Sequence, residues 1–428
     1  MDNATETLRL KIDALAYGPY GIGRNDGRVV MVPLTVPGDE IEATLVEDKG
    51  NYAVGALTQV VTASTARQEP PCPYVGACGG CPWQMVRYDA QLEAKHKSVA
   101  DALRRIGKLE DYELLPILPS PDEYRYRRRI RLHVAPGRRL GYHRLFSHQL
   151  IEIASCLIAI EGADRRIDAA RAWIDGLVSH LVEVEIVESD DGATVVFAGK
   201  INGVIAGDDD AASKKFLTEH TDVAGVVLFG KNTRRTWGRG AIDVSPEDGL
   251  AMEVDADVFT QVNRGGNRRL VREVIEWSAL APSERVLELY AGAGNFTLPI
   301  ARRAGAVVAV EGDARAVANG KKNGAKNHLK NIRWIQSHVP EAARRLRAAA
   351  ERFDSIILDP PRSGAKGLED DLAALGAARI FYISCNPATL ARDLAALVRK
   401  GYALKRIRPV DLFPHTFHVE ALAELARK

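Results

Sequence analysis

From about residue 268 to its end the chain alternates short apolar runs with helix-compatible stretches, and this alternation restricts the fold more than any other feature. RVLELYAG, AVVAVEG, NIRWIQ, SIILDPP and RIFYISC read as strands, each followed by a segment of helical rhythm. Strands joined by helices lie parallel and are covered on both faces, so residues 259–428 are expected to form a doubly wound, Rossmann-like α/β sheet. The remaining length leaves room for further domains, since 428 residues correspond to about three units of ordinary size.

Residues 1–63 have a different texture. LRLKIDAL, GRVVMVPL and DEIEATLVE alternate apolar and polar positions between the turn clusters GPYGIGRNDG and TVPGD, which predicts a small, OB-like β-barrel. Residues 64–258 are expected to form a mixed α+β central domain. It begins with a linker, TASTARQEPPCP, and a helix over 89–106 marked by Leu92, Val99, Leu103 and Ile106. RIRLHV, QLIEIA, TVVFAG and AGVVLFG follow as strands, with one helix near 162–182. No apolar run approaches the roughly 18 residues of a membrane span, and MDNATETLRLKIDAL has no basic head before an apolar stretch. The expectation is a cytoplasmic monomer with no membrane partner.

The net charge of +2 hides poles. Residues 122–148 carry a net +6, residues 149–258 a net −11 and residues 259–428 a net +11. A polyanion is therefore expected along the two basic parts and away from the middle. Within the first of them, Tyr124-Arg125-Tyr126-Arg127-Arg128-Arg129-Ile130-Arg131 interleaves guanidinium groups with aromatic rings, which suits phosphates and unstacked bases. The plainer alternative is a solvated strand face.

Chemistry concentrates in the C-terminal sheet. Leu289-Tyr290-Ala291-Gly292-Ala293-Gly294-Asn295 puts a glycine turn between the first strand and its helix, where a ligand can approach the backbone. A dinucleotide fingerprint wants a third glycine where Thr297 stands, so a nucleoside without phosphates, such as S-adenosyl-L-methionine, fits better. Glu311 ends the second strand 17 residues beyond Gly294 and can accept from both ribose hydroxyls. Asp359 closes the fourth strand at the carboxyl edge of the sheet. Amino-group methylases carry a similar Asp-Pro-Pro turn followed by an aromatic residue, whereas Arg362 stands here.

The next strand ends Tyr382-Ile383-Ser384-Cys385-Asn386-Pro387. Pro387 at a first helical position puts Cys385 at a helix N-terminus, where the dipole favours thiolate. C5 of uracil accepts a methyl group only after a thiolate has added at C6, and a base must then remove the C5 proton. Glu420, in Phe413-Pro414-His415-Thr416-Phe417-His418-Val419-Glu420, is the best placed carboxylate in sequence for that step. A buried, inert cysteine and a surface glutamate are the alternatives for these two residues.

Cys72, Cys78 and Cys81 cluster among Pro73, Gly79, Gly80 and Pro82, and Cys156 can be a fourth ligand. Zinc ribbons usually pair two short knuckles, whereas three clustered cysteines and one remote favour an iron–sulfur centre, [4Fe–4S]. With Cys385 as nucleophile, all five cysteines are used.

Phe259-Thr260-Gln261-Val262-Asn263, the glycine loop, DPPRSG, SCNPATLARDL, FPHTFHVE and the cysteine cluster occur here in one order. In this the chain resembles the RNA (uracil-5-)-methyltransferase family, over nearly its whole length, and specifically the members with an N-terminal TRAM barrel and an iron–sulfur centre that methylate 23S rRNA. The resemblance implies a class I methyltransferase in which Gln261, Tyr290, Asn295, Glu311, His338 and Asp359 belong to the S-adenosyl-L-methionine pocket. It also implies Cys385 as nucleophile, Glu420 as proton acceptor, and Cys72, Cys78, Cys81 and Cys156 as cluster ligands. There are two departures from the family pattern: His338 stands where an acidic or amide residue is common, and Tyr290-Ala291 replaces Phe-Cys. Related enzymes act on tRNA, which keeps a tRNA uridine as the alternative substrate. An RNA-binding iron–sulfur protein without catalysis is the alternative from another class, and the presence of Cys385, Glu420 and Gln261 together argues against it.

Overall fold

The computed structural model describes residues 7–428. Strands β1 (Thr7–Leu15), β2 (Tyr20–Asn25), β3 (Arg28–Pro33), β4 (Glu40–Asp48) and β5 (Tyr52–Thr62) close into a barrel in the order β1-β2-β3-β5-β4. The alternation read from the sequence fills it: Leu8, Leu10 and Ile12 of β1 face inward onto Val30, Val32 and Ile41. Helix α1 (Tyr88–Ala102) runs on into one π-helical turn, and the two-residue strand β6 (Glu113–Leu114) follows.

The middle sheet consists of β7 (Arg129–Ala135), β8 (Arg139–His143), β9 (Leu150–Glu152), β10 (Leu181–Glu188), β11 (Val195–Ile201), β12 (Gly225–Gly230) and β13 (Thr233–Gly238). Its order is β13-β12-β11-β10-β7-β8-β9. Helices α2 (Glu161–Asp164), α3 (Ile167–Gly176) and α4 (Asp209–Glu219) accompany it, and Trp173, Phe197 and Phe216 meet in its core. The single helix expected near 162–182 is thus two helices that end at Gly176. Leu177 is already extended, and the β-branched residues after it pair in β10. A hairpin of β14 (Ala241–Val244) and β15 (Met252–Asp255) completes this region.

The C-terminal region runs α5 (Arg264–Ser278), β16 (Arg285–Leu289), α6 (Thr297–Ala301), β17 (Ala306–Glu311), α7 (Ala314–Lys326), β18 (Ile332–Gln336), α8 (Val339–Ala348), β19 (Ser355–Leu358), α9 (Glu369–Ala374), β20 (Arg379–Ser384), α10 (Pro387–Arg399), β21 (Tyr402–Val410) and β22 (Glu420–Arg427). The sheet order is β18-β17-β16-β19-β20-β22-β21-β6. The parallel arrangement expected from the βα alternation covers β16 to β20. Then β22 inserts antiparallel between β20 and β21. Residues 88–114, expected with the central domain, contribute to this C-terminal unit. Val99, Ala102 and Leu103 share a core with Leu390 and Leu394, and β6 pairs with β21.

Two fastenings hold the parts in register. Asn319 and Asn323 on α7 and Asn327 just beyond it accept hydrogen bonds from the backbone N–H groups of Asp255, Glu253 and Ala251 at 2.8, 2.8 and 3.0 Å. Four-residue spacing puts the three amides on one helix face, where they satisfy the open edge of β15. Elsewhere Lys95 of α1 donates to Asp411 at 2.7 Å and to the Phe413 carbonyl at 2.9 Å, and both charged side chains are fully buried.

The charge poles of the sequence turn out to be one another's partners. Arg128 pairs with Asp190, Arg129 and Arg131 with Glu185, and Arg125 with Asp164. Arg128 and Arg129 are buried. The expectation of an open arginine face at 127–129 is therefore corrected: the β7–β10 ladder sets Arg131 directly across from Glu185, and the acidic middle neutralises the basic segment from within. Among the described residues no helix is long and apolar enough to cross a membrane.

Candidate active site at the carboxyl edge of the C-terminal sheet

The cleft above β16 is lined by Gln261, Tyr290, Asn295 and Asp359, together with Thr260, Asn267 and the hairpin residues Val244 and Met252. The turn that opens it is tight: Gly292 and Gly294 have φ of +55° and +107°, and Tyr290 itself is left-handed at +64°. A bulky residue in that conformation is strained, and it is held here where the strand must release the chain towards a ligand. Glu311 borders the turn, accepting from the Gly292 N–H at 2.9 Å and the Asp313 N–H at 2.8 Å. Its ring of backbone donors fixes the carboxylate for further acceptance. His338 lies at the start of α8, beside Gly312 and outside the cleft lining. The Thr260 hydroxyl is buried without a partner and lines the cleft, a polar atom that a bound nucleoside would satisfy. Asn295 is occupied in a reciprocal amide pair with Asn267 at 2.8 and 3.0 Å.

Cys385 and Glu420 meet across the β20–β22 ladder. The last pair of that ladder is Ser384 with Ala421, so the cysteine follows one strand end and the glutamate opens the other. Glu420 is buried, which removes the surface alternative. Burial, with repulsion from Asp359, pushes its carboxyl up to about 8, and Arg362 opposes the shift. Burial likewise pushes Asp359 up to about 7.

The thiol departs from expectation. Burial, followed by the Glu420 and Asp359 carboxylates, pushes Cys385 up to about 11, with Arg362 the cation that opposes this. Pro387 does open α10, but Asn386 is the cap, accepting from Ala388 N–H at 3.0 Å and Thr389 N–H at 3.4 Å. The dipole is outweighed by desolvation and two neighbouring carboxyls.

The segment that delivers Glu420 is clamped from several sides. Beyond the Lys95 contacts, Gln91 accepts from the His415 N–H at 2.7 Å, the Trp83 N–H donates to the His415 carbonyl at 3.0 Å, and the Tyr126 hydroxyl donates to the Pro414 carbonyl at 3.1 Å. Arg362 donates to Nε2 of His418 at 3.3 Å, and the Arg362 carbonyl accepts from Thr389 at 3.2 Å, which seats the Asp-Pro-Pro-Arg loop on α10. Sequence reasoning missed the hairpin wall of the cleft, Asn267, and Glu288, whose carboxyl is buried in β16 and pushed up to about 8 by desolvation. A glutamate inside an otherwise apolar strand, LELY, was the available signal for the last.

Cys72, Cys78, Cys81 and Cys156 line a single cavity of about 280 Å³, in company with Tyr142 and Arg127. The Gly80 N–H approaches Cys78 Sγ at 3.4 Å and the Tyr142 hydroxyl approaches Cys156 Sγ at 3.7 Å. Among the described residues no three His, Cys, Asp or Glu side chains converge closely enough to hold one metal ion.

The glycine turn, the acid at the end of the second strand and the mixed sheet define a class I methyltransferase carrying an N-terminal barrel. Comparison with known proteins narrows this. Residues 247–428 match the tRNA (Uracil-5-)-methyltransferase model and residues 4–58 the TRAM domain. The 23S rRNA (uracil(1939)-C(5))-methyltransferase RlmD of Cronobacter sakazakii is 33% identical over 99% of this chain and 96% of its own length. The protein of the same name from Vibrio parahaemolyticus is 33% identical over 98% and 96%. Among solved structures, the Pyrococcus abyssi tRNA (uracil-54, C5)-methyltransferase in complex with S-adenosyl-L-homocysteine is 25% identical, with a TM-score of 0.77, over 98% of this chain and 100% of that one. The chain belongs to the RNA (uracil-5-)-methyltransferase family, whose members are S-adenosylmethionine-dependent enzymes.

Proposed function

We propose that this protein methylates C5 of one uridine in 23S ribosomal RNA, with Cys385 as nucleophile and Glu420 as proton acceptor. The observation that carries the reading is the meeting of a thiol and a buried carboxyl at adjacent strand ends, beside Asp359 and the cofactor cleft. S-adenosyl-L-methionine, when bound, supplies the electrophilic methyl group. Gln261, Tyr290, Asn295 and Asp359 would line its seat, Glu311 would take the ribose hydroxyls, and His338 would flank the adenine end. The Cys385 thiol loses its proton to solvent, the thiolate adds to C6 of uracil and the pyrimidine ring becomes an enolate, nucleophilic at C5. Once C5 carries the methyl group, Glu420 takes the C5 proton, the electron pair restores the C5–C6 double bond, and the Cys385 sulfur leaves. A stacked uridine cannot offer both faces of this bond, so the base must leave its stack.

Cysteines 72, 78, 81 and 156 are read as ligands of a structural [4Fe–4S] cluster. Zinc holds thiolates at about 2.3 Å, hence within about 4 Å of one another. Four cysteines lining one cavity, three from a single short loop and one remote, are the donor set that iron–sulfur ligation uses. The same reading takes the protein as a cytoplasmic monomer.

The ribosomal substrate is favoured by the RlmD relatives, which align over nearly the full chain. The tRNA reading draws on the P. abyssi structure. Quantifying 5-methyluridine in 23S rRNA and in tRNA from a deletion strain separates them: loss from rRNA alone supports the proposal, and loss from tRNA alone overturns it.

A further inference from the structure

The turn between β1 and β2 reaches the opposite end of the chain. The Tyr17 hydroxyl donates to the backbone carbonyl of Cys385 at 3.1 Å, across 368 residues of sequence. The Tyr17 ring meets Phe417 edge-on, with centroids 5.7 Å apart at 84°. Trp83 fastens the same turn from behind, its Nε1–H donating to the Gly18 carbonyl at 3.2 Å while its backbone N–H holds His415. Barrel, linker and the segment before Glu420 are thus joined at one point. Burial of the hydroxyl and the neighbouring thiol push it up to about 12, so it stays a donor.

Even so, Tyr17 is 40% exposed. A tyrosine whose only task was to weld two domains would be expected to bury its ring, and this one keeps ring surface open beside the cysteine. Three residues on, Tyr20 stacks on Phe146, with centroids 5.1 Å apart at 14°, and Phe146 is 60% exposed. A second partly open aromatic pair thus stands three residues from Tyr17, where the barrel meets the β8–β9 loop, of the kind that carries unstacked bases.

Building on the assignment of Cys385 as nucleophile, we infer that Tyr17 is a positioning residue of the methylation site: its hydroxyl fixes the backbone of Cys385 and its open ring face receives the base next to the target uridine. The barrel then completes the active site instead of serving only as a remote RNA handle.

Two variants separate the two parts of this inference. Tyr17→Phe keeps the ring and loses the hydroxyl, and Tyr17→Leu loses both. With RNA carrying 5-fluorouridine and S-adenosyl-L-methionine, Tyr17→Phe is expected to slow covalent adduct formation about fivefold to tenfold, the worth of one hydrogen bond, with the KM for RNA within about twofold of wild type. Tyr17→Leu is expected to raise that KM about tenfold in addition, as loss of one stacked base does. A wild-type adduct rate in Tyr17→Phe overturns the hydroxyl's role. A KM in Tyr17→Leu equal to that of Tyr17→Phe overturns the ring's role, and Tyr17→Trp, which keeps a stacking face, must recover the KM where Tyr17→Leu folds poorly. Failure of the nucleophile assignment shows up separately, as adduct formed by Cys385→Ala.

Discussion

Cys385 and Glu420 stand face to face one residue beyond the last pair of the β20–β22 ladder, Ser384 with Ala421. The antiparallel insertion of β22 into an otherwise parallel sheet is what creates this relationship, because it turns the carboxyl edge of one strand towards the amino end of the next. The thiol and the carboxyl therefore share a desolvated corner with Asp359: burial and both carboxylates hold the proton on Cys385, and burial with Asp359 holds it on Glu420.

One consequence is a pH dependence of adduct resolution. Glu420 must be ionised to take the C5 proton, and its carboxyl is pushed up to about 8. Release of methylated RNA should rise as pH increases through that value and slow below it, with covalent adduct on ordinary uridine building up on the acid side. Glu420→Gln should accumulate adduct at every pH. Quenched single-turnover reactions resolved on denaturing gels measure both, and resolution independent of pH in the wild type would contradict the role.

The cofactor seat makes a separate prediction. Glu311 is preorganised by the Gly292 and Asp313 N–H groups, and removing a charged hydrogen-bonding partner costs about 1.5–3 kcal/mol. Glu311→Ala should weaken S-adenosyl-L-homocysteine binding by about tenfold to a hundredfold in titration calorimetry while leaving RNA affinity unchanged. Undiminished binding would move the ribose elsewhere.

The buried Lys95–Asp411 pair tests how the Glu420 segment is held. Lys95→Met leaves Asp411 buried without its cation, a loss of about 3–5 kcal/mol. Urea unfolding should show it. The double variant Lys95→Met with Asp411→Leu should recover much of the stability, since no charge is then left unpaired. A double variant as unstable as the single would mean that the pair's hydrogen bonds to Tyr88 and Phe413 matter more than its charges.

The cysteine cavity is tested by colour and metal content. Anaerobically purified protein should be brown and hold about four irons, as the [4Fe–4S] type requires. Cys78→Ser or Cys156→Ser should lose both. Colourless protein with one zinc contradicts the cluster.

Much of the fold was legible because local pattern determines it. The parallel strands announce themselves by apolar runs, three of which end in Gly292, Glu311 and Asp359, and the barrel by strict alternation in LRLKIDAL. What escaped depends on register across long separations. Arg129 and Glu185 are 56 residues apart, and nothing local says that a basic strand and an acidic one will be ladder neighbours, so the arginines read as an open face. Helix α1 carries an apolar rhythm that any sheet could bury, and only its packing against Leu390 and Leu394, with the pairing of β6 and β21, assigns it to the C-terminal unit. Pro387 marked Cys385 as a candidate nucleophile, yet its raised pKa comes from burial and then from Glu420 and Asp359, which only the folded sheet brings near.

Covalent catalysis by Cys385 can be caught by trapping. On RNA with 5-fluorouridine at the target position, C5 holds a fluorine that no base can remove as a proton, so the reaction halts after methyl transfer with Cys385 still bonded to C6. The expected product is a denaturation-resistant protein–RNA adduct that requires S-adenosyl-L-methionine, maps by peptide mass spectrometry to Cys385 and is absent from Cys385→Ala. An equal yield of adduct from the alanine variant, or attachment at another residue, would contradict this role of Cys385.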